Sequence, residues 1–213
     1  MKKNMFKSVA LMAVVTFWGI VLTSCGGNSA SGSSAVKEAI SAAESEIALT
    51  ETPVFGNLPS LFEQKLEAGT ILGKHFRELK TEDMDKAVKN KQLRDEAEKE
   101  LAAYYNEKIG AAAEALDGKN IKVEFDKSQF TDATVTLKVT EKEMGYFNFV
   151  FDATPVKPIN KEVEFKWIYM DAEGNELQVS SDYITPGEKI QKEYVVLSNK
   201  DYCKKFDHLY IKY

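Results

Sequence analysis

Two histidines, two cysteines and a scatter of carboxylates are the groups in this chain that could carry chemistry. His208 follows Asp207, which could orient an imidazole as a general base, but neighbours on a strand point to opposite faces. His75 has neither an HExxH partner nor a nearby thiol, so it finds no zinc-ligand set. Glu82, Asp83 and Asp85 open a helical segment, where cap and dipole roles account for them. Glu96, Glu98 and Glu100 lie about 200° apart in successive pairs on a helix, so they form a solvated face and not a converging site. Asp171, Glu173, Asn175 and Glu176 offer oxygens at a hairpin tip, yet Gly174 is misplaced for a calcium loop and a plain turn explains the run. No nucleophile elbow, phosphate-binding loop or dinucleotide fingerprint is present, and no cofactor or metal is implied. An enzyme is therefore not expected. A hydrolase survives only as a site assembled from distant residues.

Aromatic side chains offer a second kind of chemistry, stacking on sugar rings or small ligands. Trp167 alternates with Phe165 and Tyr169, and Phe147, Phe149 and Phe151 keep the same period, so these read as core. Tyr183, Tyr202, Tyr210 and Tyr213 fit no buried pattern as clearly and are the candidate ligand-binding residues. The net charge of −5 argues against nucleic acid as a partner.

The amino-terminus carries the most specific signal. Lys2, Lys3 and Lys7 precede an apolar run of 14 residues, Val9–Leu22, short of the roughly 20 that span a bilayer. A basic start, a short apolar run and small residues behind it make a secretory signal peptide over 1–24. Leu22-Thr23-Ser24-Cys25, continued by Gly26-Gly27, resembles the lipobox of bacterial lipoproteins. That resemblance implies a diacylglycerol on the Cys25 sulfur and cleavage that leaves Cys25 first, an essentially permanent anchor. Gly26 stands where many enterobacterial lipoproteins carry an inner-membrane Asp, and residues 26–34 lack the acidic cluster similar to the surface-export signal of Bacteroidota lipoproteins. The resemblance implies the outer membrane, facing the periplasm, with the cell surface as the alternative.

Removing Lys2, Lys3 and Lys7 leaves 25 basic against 33 acidic groups, a net of −8, so anchoring falls to the lipid and not to a polybasic patch. Cys203 then stands without a partner cysteine. Its setting between Tyr202 and Phe206 reads as buried and inert, with a reactive thiol or an interchain bridge as alternatives.

The elements that must position these groups divide the chain. Residues 25–34 read as a lipidated flexible tether, 35–120 as a helical region and 121–213 as a β-sandwich domain. Five aromatics fall in the helical part against fifteen in the β part. Val36, Ile40, Ala43 and Ile47 mark a first helix; a second begins at Leu61, weakened at Gly69 and interrupted at Gly73. Thr81 caps the longest one. Leu93, Ala97, Leu101, Tyr105, Ile109, Ala112 and Leu116 make it amphipathic, with a break, a bend or an exposed first section near Asn90 and Gly118 at its end. About seven strands follow: 121–125, 135–139, 147–151, 163–169, 177–179, 194–196 and 209–213. Their number and spacing predict an antiparallel immunoglobulin-like sandwich without the cross-sheet disulfide, an α+β chain overall. The pattern is similar to envelope lipoproteins of Bacteroidota type with such a carboxy-terminal domain. The expected function is non-enzymatic: protein interaction or envelope scaffolding with an envelope protein partner, the membrane being reached through Cys25. The alternative is a glycan- or small-ligand-binding lipoprotein.

Overall fold

The computed structural model describes residues 30–50, 55–187, 190–197 and 200–213. The signal segment 1–24, Cys25 and residues 26–29 of the tether lie outside them, as do the side chains of the strand expected at 194–196. Three helices precede two four-stranded sheets, an α+β arrangement.

Helix α1, Ala30–Glu46, starts earlier than the composition suggested and takes in Gly32, Ser33 and Ser34. Those residues read as flexible because Gly and Ser resist helix in isolation, but here packing overrides propensity. A side chain at Gly32 would meet the Leu93 carbonyl at 3.7 Å, and Ser33 reaches Glu100 at 3.3 Å. Val36, Ala39 and Ala43 form its buried face.

Helix α2, Leu58–Glu78, is continuous, contrary to the interruption expected at Gly73. Pro59 sits in its first turn, where a missing N–H costs nothing. Each glycine weakens a helix by about 1 kcal/mol relative to alanine, and burial of Leu58, Leu61, Leu72 and Phe76 outweighs both. Gln64 is buried and donates to the Ile47 carbonyl at 2.9 Å, holding the end of α1 against α2.

Helix α3, Met84–Glu114, is capped by Asp83 and not by Thr81: the Asp83 carboxylate accepts from the N–H groups of Asp85 and Lys86. Thr81 accepts from Asp83 N–H instead. Of the three outcomes foreseen near Asn90, the exposed first section is the one found. Nothing from Met84 to Glu96 is buried, and from Ala97 the buried positions run through Leu101, Tyr105 and Ile109 to Ala113. The helix ends at Glu114, and Gly118 (φ 72°) closes the turn beyond it, donating to Leu137 O at 2.8 Å.

The strand expected at 121–125 is two strands. β1, Asn120–Ile121, joins the first sheet by pairing Ile121 with Val135. β2, Val123–Phe125, joins the second by pairing Val123 with Leu209 in parallel. Only Lys122 separates them. The first sheet runs β1-β3-β4-β7, with β3 at Phe130–Glu141, β4 at Tyr146–Pro155 and β7 at Ile190–Leu197. The second runs β2-β8-β5-β6, with β5 at Val163–Asp171, β6 at Glu176–Ile184 and β8 at Phe206–Lys212. With β1 and β2 counted as one divided strand, the second and third strands are β3 and β4, hairpin neighbours within one sheet, whereas in immunoglobulin order they lie in opposite sheets.

The sheets face each other through aromatic rings. Phe151 meets Phe165 at 5.5 Å and Trp167 at 5.7 Å between centroids, and Phe149 meets Tyr169 at 5.8 Å. The helix-to-strand change falls between Glu114 and Asn120, yet the core runs across it. Phe55, just ahead of α2, lies 5.8 Å from Phe147 and 5.5 Å from Phe206, one ring touching both sheets.

Candidate functional site

Strand β5 sits inside its sheet, with β8 on one side and β6 on the other. Phe165, Trp167 and Tyr169 point into the core, so Lys166, Ile168 and Met170 face outward. Residue pairing then lines up a transverse row on the outer face, Glu124–Tyr210–Ile168–Val179. Ile168 is only 2% exposed although it lies outside the main core. Val179 is 48% exposed and Tyr183, opposite Glu164, is 57% exposed. Charge rims the strip: Lys166 pairs with Glu164 at 2.8 Å, and Lys212 lies 5.9 Å from the centre of the Tyr210 ring. Among the described side chains, the outer face of the first sheet carries Thr134, Thr136 and Lys138 on β3 and Asn148, Val150 and Asp152 on β4.

Period-two alternation along 177–179 would put Leu177 and Val179 on one face. A register shift opposite Tyr169 and Met170, just after the hairpin, rotates β6 so that Val179 faces outward beside Ile168. The same shift puts Ser180 and Asp182 on the inner side of an edge strand. The apolar strip had a legible signal: Trp167-Ile168-Tyr169-Met170 is apolar at every position, so both faces of β5 carry apolar groups.

The four candidate tyrosines fall in different places. Tyr202 is half-buried, with its ring 4.6 Å from Tyr169. Tyr213 packs edge-on against Phe130 at 5.0 Å, and its main chain and hydroxyl bond to Gln129. Tyr210 and Tyr183 share the outer face of the second sheet, at β5 register positions 168 and 164, so about 13 Å separates them along the strand. They form no single stacking platform.

Asp207 and His208 do not point to opposite faces as a regular strand requires. The register shift opposite Met170 and Asp171 brings them to one side, with Nδ1 and Oδ2 2.8 Å apart. Lys122 bonds the same carboxylate oxygen at 2.8 Å, and these two contacts, Lys122 first, hold the Asp207 carboxyl below its usual range. Glu124 lies 3.9 Å from His208 Nε2. An imidazole oriented by a carboxylate has the geometry of a general base. Cys203 does not supply a nucleophile to it: the side chain is fully buried, and burial pushes its thiol up to about 12.

Asp171 and Glu98, two of the other candidate carboxylates, have structural partners. Asp171 accepts from the N–H groups of Glu173 and Asn175 and from the Asn175 amide, which lowers its carboxyl and folds the hairpin, with Gly174 at φ 83°. Glu98 pairs with Arg94 at 3.4 Å. His75 packs edge-on against Phe76 at 5.2 Å. Among the described residues, no group of three His, Cys, Asp or Glu side chains is placed to hold a metal ion.

No protein-family model matches the chain, and no curated protein or solved structure matches it significantly.

Proposed function

We propose that this chain is a membrane-anchored, non-enzymatic cell-envelope lipoprotein whose second sheet presents its outer face to a protein partner. The observation that carries the reading is the outward side of the row across β5, Val179 and Tyr210 with Ile168 covered between them. Solvent-facing positions of a sheet are ordinarily polar, and an apolar strip with a charged rim is the composition of an interaction surface. The immunoglobulin-like reading extends to the two-sheet layering and the first strand divided between sheets. It does not extend to strand order. The amphipathic reading of α3 rests on its buried positions from Ala97 onward. Within the described residues no helix is long and apolar enough to cross a membrane, and in this proposal attachment runs through Cys25, to the outer membrane on its periplasmic side.

A photo-crosslinker at Val179 in living cells should yield one reproducible protein adduct, while the same probe at Thr136, on the other sheet, should yield none. No adduct from Val179, or the same adducts from both, would overturn the interaction face. Labelling with a palmitate analogue should disappear in Cys25→Ala, and persistent labelling would refute the anchor. The second reading, glycan or small-ligand binding, falls to Tyr210 and Tyr183 as separate contacts on the shared outer face, since they form no joint platform. Saturation-transfer signals from an envelope glycan that vanish in Tyr210→Ala would support it over a protein partner.

A further inference from the structure

The three helices have a distinct far end. Contacts with the sheets lie at one end of the bundle, through Phe55, the Glu63–Lys204 ion pair and Gly110 against Lys142 and Glu143. At the other end meet the start of α1, the end of α2 and the exposed first half of α3. Gly32 lies against Leu93 there, and Asn90 donates to the Leu79 carbonyl at 2.7 Å. A cleft of about 530 Å³ opens between α2 and α3 at this end, with Phe76 and Leu79 within it, Arg77, Lys80 and Lys91 around it, and Arg94 paired there with Glu98. On the first turns of α3, Met84 and Val88 are 75% and 54% exposed.

Four basic side chains line the cleft against one acidic, Glu98, a local net of +3 in a chain whose total is −5. Exposed apolar side chains among lysines and arginines are the composition of a surface that lies on a bilayer. Position supports the same occupant. Five residues, 25–29, separate the lipidation position from Ala30, a reach of about 17 Å even when fully extended. The start of α1 is therefore held close to the membrane, and this patch lies beside it.

Resting on the lipid-anchor reading above, we infer that the far end of the helical bundle, with Lys80, Lys91, Met84 and Val88, docks on an anionic phospholipid surface. The acyl chains anchor the protein, and the patch orients it. The two sheets then point away from the bilayer, with the Tyr210–Ile168–Val179 row in the periplasm.

The test uses the mature acylated chain in vesicles of phosphatidylethanolamine mixed with either phosphatidylglycerol or phosphatidylcholine. An environment-sensitive dye is placed on Val88→Cys and, in a parallel chain, on Val179→Cys; Cys203 is buried and stays unlabelled. The dye at position 88 should shift to the blue on phosphatidylglycerol and not on phosphatidylcholine, with no shift at position 179 on either. Lys80→Gln with Lys91→Gln should weaken docking by about fivefold for each lysine lost. Equal emission at position 88 on both vesicles, or a shift that survives the double substitution, overturns the inference. So does a shift produced only by an acidic envelope protein. Failure of the anchor reads differently: Cys25→Ala would then float with both vesicle types as well as the parent chain does.

Discussion

Glu44 shows how one side chain can lock two helices. Its carboxylate accepts from the Tyr104 hydroxyl at 2.7 Å and from Lys108 Nζ at 2.6 Å, tying α1 to α3. Burial alone would raise the Glu44 carboxyl, but bonds from Lys108 and Tyr104 outweigh it and hold the group below its ordinary value of 4.5. A carboxyl depressed by folding contributes stability above its unfolded value, lost as pH falls through the folded one. Urea midpoints of the parent should therefore decline from about pH 4.5 downward, and Glu44→Gln should be less stable at pH 7 with a shallower decline. Equal acid slopes for the two would remove Glu44 from this role. Tyr105, next to Tyr104, is a contrasting case: its hydroxyl is buried with no hydrogen-bond partner among the described residues. Tyr105→Phe loses no protein hydrogen bond, so its melting temperature should match or exceed that of the parent. At this scale the sequence was partly legible. The capping acids and the hairpin around Asp171 could be read because their partners lie within four residues. The Asp207–His208 contact could not, since it depends on a local irregularity in pairing with β5.

Helix α2 persists through Gly69 and Gly73, and an added Cβ at either would meet nothing within 4 Å. The glycines are not there to admit a neighbour. Gly69→Ala should therefore raise stability by about 0.5–1 kcal/mol, read as a higher urea midpoint with an unchanged slope. A loss of stability would mean that the helix is not continuous in solution. Sequence periodicity located α3 and the seven strand segments it named, because each has apolar positions enough to mark an extended run. It failed at boundaries set by distant partners. Ala30 through Ser34 are helical because α3 lies beside them, and the strand at 121–125 divides at Lys122 because two different sheets claim its halves. The outward turn of Val179 has the same origin: a shift after the hairpin reverses faces without changing any residue type.

The core runs from the helices into both sheets through Phe55, so the whole chain is expected to unfold as one unit. Phe55→Ala should cost about 3–5 kcal/mol, and far-UV ellipticity and tryptophan fluorescence, which reports Trp167 in the sheets, should still change together. Separate transitions for the two probes would show helices and sheets to be independent. The divided first strand adds a mechanical consequence. β2 runs parallel to β8, and Tyr213 is clipped to Gln129 at the carboxy-terminus. Tension between the tether and the carboxy-terminus drags these two neighbours in opposite senses along their common axis. Their hydrogen bonds must then shear together, where a hairpin would unzip one rung at a time. Pulled from its two ends, the molecule is braced by the strand that crosses between its sheets.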